Sequence, residues 1–183
     1  MSIEQIDIEK KKWRKFIRDE KQKYPVSILK EKSAVIFEQL EKTEVFQKVS
    51  VLAAYWSLDD EVSTHDFIKK WYREKEILLP CIKGDDIVFK KFRGTEHLVI
   101  EEKYRIPEPD GEVFTELHKI GLIIVPGLAF DKNNNRMGRG KAFYDRLLPQ
   151  LQAYRIGVCF DFQYFDEIPA TASDIKMNQI IYG

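Results

Sequence analysis

Over residues 8–23, apolar Trp13, Phe16 and Ile17 fall at i, i+3 and i+4, with lysines and arginines between. That spacing predicts an amphipathic helix, ended by Pro25. A second stripe at Ile28, Val35, Ile36 and Leu40 predicts another helix over 25–46, with Pro25 in a first turn that needs no N–H. VSVLAAYW then runs apolar without a break, as strands buried on both faces do. THDFIKKWYREK returns to a helical period through Phe67, Ile68 and Trp71, with Ser63 or Thr64 as the cap. EILLPCI and, after the turn KGDD, DDIVFKKF predict two strands. HLVIEEKYRIPEPDG has no helical period and becomes Pro-rich and irregular. GLIIVPG is the strongest buried-strand signal. FDKNNNRMGRG predicts a polar loop, KAFYDRLLPQL a helix closed by Pro149, and YRIGVCF a last clear strand before a short apolar QIIYG.

Helices and strands alternate, so the expected class is α/β: a mainly parallel open sheet flanked by helices, Rossmann-like and three-layered, with an N-terminal helical pair. Length sets the domain count. The 183 residues suit a single domain over 1–183, and 44% hydrophobic content is enough to build its core. Lysine plus arginine equal aspartate plus glutamate, so the net charge is zero. A protein that binds nucleic acid through its overall field is therefore not expected. No segment is long and apolar enough to span a bilayer, and the first residues lack the apolar stretch of a signal peptide. The cytoplasm is the expected compartment, and a monomer the expected state. Cys81 and Cys159 sit in apolar strand-like runs and read as buried free thiols. His65, His97 and His118 make no metal-ligand spacing with them.

The candidate chemistry lies after the strongest strand. In open α/β sheets, ligands sit beyond the carboxyl ends of the strands. RMGRGKAFYDR places Arg136, Arg139 and Lys141 there, with Gly138 and Gly140 between them, at the start of a predicted helix. Glycines let the backbone approach a bulky anion, and the helix start offers free N–H groups. Arg136 and Arg139 can fork onto phosphate oxygens, Lys141 adds a point charge, and Asp145 can hold Mg²⁺ on the phosphate side. A nucleoside triphosphate or other polyphosphate fits this pattern. GxxxxGK[ST] and GxGxxG are both absent. A solvated basic loop with glycines at a tight turn is an equally good reading of the residues alone.

The whole stretch PGLAFDKNNNRMGRGKAFYDRLL resembles the signature of the 5-formyltetrahydrofolate cyclo-ligases, also called 5,10-methenyltetrahydrofolate synthetases. The resemblance runs from Lys10 to about Ile180. It implies that Arg136, Met137, Gly138, Arg139, Gly140, Lys141, Ala142, Phe143 and Tyr144 bind ATP together with the basic pair Lys10 and Arg14, and that Arg139 and Lys141 are catalytic. It places the folate substrate against Trp56, Glu61, Arg139 and Phe143, and Mg²⁺ against Asp145 and Asp174. Some positions depart from the pattern. Ser173 and Asn178 replace a His and an Asp near Asp174, Ala142 stands where a glycine is common, and Phe143 replaces a Tyr. Ala142 matters if that position needs a positive φ.

The implied activity is ATP- and Mg²⁺-dependent cyclisation of 5-formyltetrahydrofolate to 5,10-methenyltetrahydrofolate through a phosphorylated N5-formyl intermediate, with release of ADP and phosphate. Two alternatives stay open. One is another α/β enzyme of the sugar-phosphate isomerase or CoA-transferase type. The other is a non-catalytic nucleotide- or RNA-binding module.

Overall fold

The computed structural model describes residues 3–84, 86–102 and 105–183. In chain order the helices are α1 (Ile3–Lys21), α2 (Val26–Glu41), α3 (Glu44–Lys48), α4 (His65–Trp71) and α5 (Phe143–Leu147). The strands are β1 (Val51–Ala53), β2 (Glu76–Lys83), β3 (Asp86–Lys91), β4 (Leu98–Ile100), β5 (Pro107–Pro109), β6 (Val113–Phe114), β7 (Leu122–Pro126), β8 (Ala129–Asp131), β9 (Arg136–Met137), β10 (Tyr154–Cys159), β11 (Tyr164–Phe165) and β12 (Gln179–Tyr182).

The main sheet runs β12-β10-β7-β1-β2-β3-β6. It is parallel from β12 to β2, and β3 and β6 add antiparallel strands at one edge. Successive residues of its central strands go to opposite faces. Leu52, Ile77, Leu79, Leu122, Ile124, Ile156 and Val158 pack with α2, α3 and α4. Ala53, Leu78, Ile123, Val125 and Cys159 pack with Leu147 of α5 and with Leu148 and Leu151 beyond it. Burial on both faces explains why these strands read as unbroken apolar runs.

A smaller sheet, β11-β8-β9, sits beyond the end of β7. The apolar stripe of α1 docks there: Trp13 and Ile17 pack with Leu128, Ala129, Met137, Ile168 and Phe165. This docking brings Arg14 to the Gly138 carbonyl, in the segment between β9 and α5. β4 and β5 pair separately as a two-strand ladder, with Val99 opposite Glu108.

The expected class is the observed one, but several boundaries differ. The predicted helix over 25–46 is broken at Lys42–Thr43, where Thr43 caps a new short helix by accepting from the Phe46 N–H. A side-chain cap that satisfies an orphan N–H makes that restart favourable. Thr64 is the N-cap residue of α4, but its side chain makes no cap hydrogen bond. Its hydroxyl is buried and donates to the Tyr55 carbonyl while accepting from the Ser57 N–H. The polar loop FDKNNNRMGRG contains the end of β8 and all of β9, joined by a turn in which Asn134 takes φ 62°. Buried Asp131 holds that turn by accepting from the Asn133 and Asn135 N–H groups. The helix expected from Lys141 starts at Phe143, and Pro149 lies inside a 3₁₀ turn that continues it. Part of the KGDD turn, at Asp85, lies outside the described residues.

Candidate active site

A cavity of about 290 Å³ opens beyond the carboxyl ends of the parallel strands. Tyr55, Trp56, Leu58 and Glu61 line it from the segment after β1, Pro126 and Gly127 from the end of β7, and Pro80, Ile82, Ile87, Ile106 and Glu108 from the β2–β3–β5 side. The rest comes from the segment around α5: Arg136, Gly138, Arg139, Lys141, Ala142, Phe143, Tyr144 and Asp145. Residues far apart in the chain therefore share one chamber.

Arg139 is half-exposed and anchored at two points. Its Nη2 donates to Asp60 Oδ1 at 2.6 Å and its Nε to Glu61 Oε1 at 3.1 Å. The other oxygen of Glu61 accepts from the Leu58 N–H at 3.0 Å, so this carboxylate is fixed from both sides. Behind them, buried Lys21 donates to the Asp60 carbonyl and lies 3.4 Å from Asp60 Oδ2. Burial pushes the Lys21 ammonium below its ordinary range, and Asp60 only partly restores it. Burial raises the Asp60 carboxyl, but Lys21 and Arg139 together bring it below the usual carboxylate range.

Arg136 behaves differently from Arg139. It belongs to β9 and its side chain is only 4% exposed. Nη2 donates to Asp145 Oδ1 at 2.9 Å, Nη1 to the Pro126 carbonyl at 3.3 Å, and the guanidinium lies 5.5 Å from the Tyr144 ring centre. Its Nε is buried without a partner. Both terminal nitrogens are thus committed to protein acceptors, which makes Arg136 a brace between β7, β9 and α5 rather than a free phosphate fork. Gly138 leaves room for it, since a Cβ there would lie 2.8 Å from Arg136 Nη1.

Arg14 reaches across from α1 to donate from Nε to the Gly138 carbonyl at 3.0 Å. Gly140, at φ 98°, packs under the same guanidinium. Met137 is buried in the cluster beneath α1. Lys10, one turn before Arg14, pairs with Asp174 at 2.5 Å, and both lie outside the cavity lining. Burial raises the Asp174 carboxyl, but Lys10 and the Thr171 N–H bring it below the usual range. Ala142 takes φ 54° and ψ 19°, the left-handed region expected of a glycine, just before α5. Trp56 stacks on His65 at 4.1 Å and on Phe92 at 5.6 Å between ring centres, which holds its indole plane at the cavity wall.

Among the described residues no three His, Cys, Asp or Glu groups come together as a metal cage. Of the carboxylates lining the chamber, Asp145 stands on the same segment as Arg139 and Lys141, with its side chain 27% exposed. That donor set fits Mg²⁺, which usually takes one or two carboxylates plus phosphate oxygens and water.

Three residues received no role in the sequence reading: Lys21, Asp60 and Glu108. The helix containing Lys21 is full of lysines, so composition does not single it out. Asp60 precedes Glu61 and was visible only as part of DDE. Glu108 sits between two prolines in a segment that reads as a connection. A carboxylate between residues of fixed φ was the available signal.

The model of the 5-formyltetrahydrofolate cyclo-ligase family matches residues 7–183. The mouse 5-formyltetrahydrofolate cyclo-ligase is 28% identical over 152 residues, 75% of each chain. The Escherichia coli K12 protein of the same name is 28% identical over 138 residues, 71% of this chain and 76% of that one. The solved structure of Aquifex aeolicus 5,10-methenyltetrahydrofolate synthetase superposes with a TM-score of 0.85 at 28% identity, covering 94% of this chain and 89% of that one.

Proposed function

We propose, from the fact that this chain belongs to the 5-formyltetrahydrofolate cyclo-ligase family, that it closes 5-formyltetrahydrofolate to 5,10-methenyltetrahydrofolate at the expense of ATP. One observation carries the reading. A single chamber joins an apolar wall fit for a flat ring to a cationic segment fit for phosphates.

The formyl oxygen on N5 is a poor leaving group. In the proposed first step it attacks the γ-phosphorus of ATP, the bond to the bridging oxygen breaks, and ADP leaves. The N10 lone pair then attacks the formyl carbon. The carbon–oxygen bond breaks with its electron pair going to phosphate, and N10 gives its proton to solvent. The protein's contribution is positioning and charge neutralisation. Arg139 and Lys141 would meet the transferring phosphoryl group, with Arg14 and the backbone of 138–140 beside them and Lys10 within one helical turn. Phe143 and Tyr144 would close the loop side of the chamber. Trp56 would lie against the folate ring, and Glu61 would hold both Arg139 and the substrate in register.

Bound Mg²⁺ would neutralise phosphate charge. Asp145 is the carboxylate in reach of it, and Asp174 would join only by giving up Lys10. No helix among the described residues is long and apolar enough to cross a membrane. A monomer in the cytoplasm, with a small-molecule substrate and no nucleic-acid partner, completes the proposal.

The test is the absorbance of the methenyl product after protein, 5-formyltetrahydrofolate, Mg²⁺ and ATP are mixed, against a control without ATP. Arg139→Ala and Lys141→Ala are expected to abolish the ATP-dependent rise while melting normally. Full activity in both would remove the phosphate-cradle argument. ATP binding by calorimetry with no turnover would favour a binding module instead.

A further inference from the structure

Glu108 takes no part in the chemistry above, yet it is a carboxylate in the wall of the chamber, only 8% exposed. Its neighbours on that wall are Pro80, Ile82, Ile87 and Ile106. Burying a charged carboxylate among such side chains is costly unless it is paired. Among the described residues no cation pairs with it. Oε1 accepts from the Ile82 N–H at 2.8 Å. The adjacent Cys81 thiol, pushed up to about 12 by burial first and then by Glu108, stays protonated. Burial moves Glu108 itself above the usual carboxylate range, partly offset by the Ile82 N–H.

The segment is built to hold this side chain still. Pro107 and Pro109 fix φ on both sides of it, and β5 is clamped to β4 through the Val99–Glu108 register. The Ile82 N–H, at the end of β2, fixes one oxygen. Lining the chamber, the carboxylate is an acceptor for a ligand. Its charge repels phosphate and the glutamate tail of a folate, so it selects a neutral, flat group that carries adjacent N–H donors.

We propose that Glu108 recognises the 2-amino and N3–H donors of the pterin ring, and so fixes which edge of the folate enters the chamber. This rests on the folate reading above. A carboxylate meets such a pair of donors with two charge-assisted hydrogen bonds, and the apolar residues around it cover the ring faces.

The test is a two-by-two comparison of ligand binding by calorimetry without ATP. Wild type and Glu108→Leu are each titrated with 5-formyltetrahydrofolate and with its 2-desamino-2-methyl analogue, which lacks one donor. Wild type is expected to prefer the natural ligand by about tenfold or more, the usual worth of one buried charge-assisted hydrogen bond. Glu108→Leu is expected to bind both ligands alike. Glu108→Gln, which keeps an acceptor for the Ile82 N–H, guards against misfolding and is expected to show an intermediate preference. A tenfold preference that survives in Glu108→Leu, or its absence in wild type, overturns the assignment. Turnover separates this from the reading beneath it. Wild type that closes the natural substrate with ATP but ignores the 2-amino group overturns the Glu108 role alone. Wild type that neither binds nor closes it overturns both.

Discussion

Removing the Arg136 guanidinium tests whether it is a brace. Arg136 is 4% exposed and Asp145 27% exposed, with 2.9 Å between Nη2 and Oδ1. Breaking a buried pair from one side leaves an uncompensated charge and typically costs about 3–5 kcal/mol. Asp145 still touches solvent, which lowers the expected cost of Arg136→Met to about 2–3 kcal/mol. Asp145→Ala leaves the more deeply buried partner charged, with the Pro126 carbonyl as its remaining acceptor, and is expected to cost about 3 kcal/mol. Replacing both removes the desolvation problem as well as the attraction, and the orphaned Nε disappears with it. The double variant should therefore be no less stable than either single one, with a coupling of about 2 kcal/mol or more. Denaturant unfolding of the four proteins measures this. Additive losses would refute the brace and return Arg136 to the set of free phosphate-binding cations.

Further expectations follow from other positions. Ala142→Gly relieves a left-handed φ that costs a side chain about 1–2 kcal/mol, against about 0.5–1 kcal/mol of lost chain entropy, so its melting temperature should hold or rise slightly. A clear drop would mean the position is unstrained in solution. Gly157→Ala puts a Cβ about 2.9 Å from Phe130 Cδ1 and 3.1 Å from Met177 Cγ in a closed core, and should cost about 1–3 kcal/mol by thermal melting. Asp174 is held below the usual carboxylate range, so its pairing with Lys10 contributes stability above that range and loses it as pH falls through the lowered pKa. Lys10→Met should flatten this acid limb in urea titrations, and an unchanged limb would contradict the pairing. Glu108 has the opposite sign. Its raised pKa means the folded state binds more protons, so stability falls as pH rises from the ordinary carboxylate range through the raised value. Glu108→Gln should remove that fall, and a persistent fall would place its cause elsewhere.

The local period of apolar residues was enough to place α1, α2, β7 and β10, because a helix stripe or a doubly buried strand depends on near neighbours in the chain. The break at Lys42–Thr43 was harder to see, since an apolar stripe continues across it and a single hydroxyl decides where the new helix starts. The glycine spacing and three basic residues of 136–141 raised the expectation of an anion site, and the positive φ at Ala142 sits where the resemblance puts a glycine. Charge alone said nothing about roles. Arg136 and Arg139 are three residues apart and of one type, yet one is a buried strand residue and the other a half-exposed side chain held by Asp60 and Glu61. Lys10 meets Asp174 from 164 residues away, Arg14 meets Gly138 from 124, and Glu108 reaches the end of β2. Those meetings depend on how α1 docks on β8 and β9 and how β5 folds against β2. Sequence patterning reports which face of an element is apolar, and thereby determined the layers. Which polar groups then meet, and which charge is left buried facing the chamber, is set by the packing of those layers and was decided only in the tertiary structure.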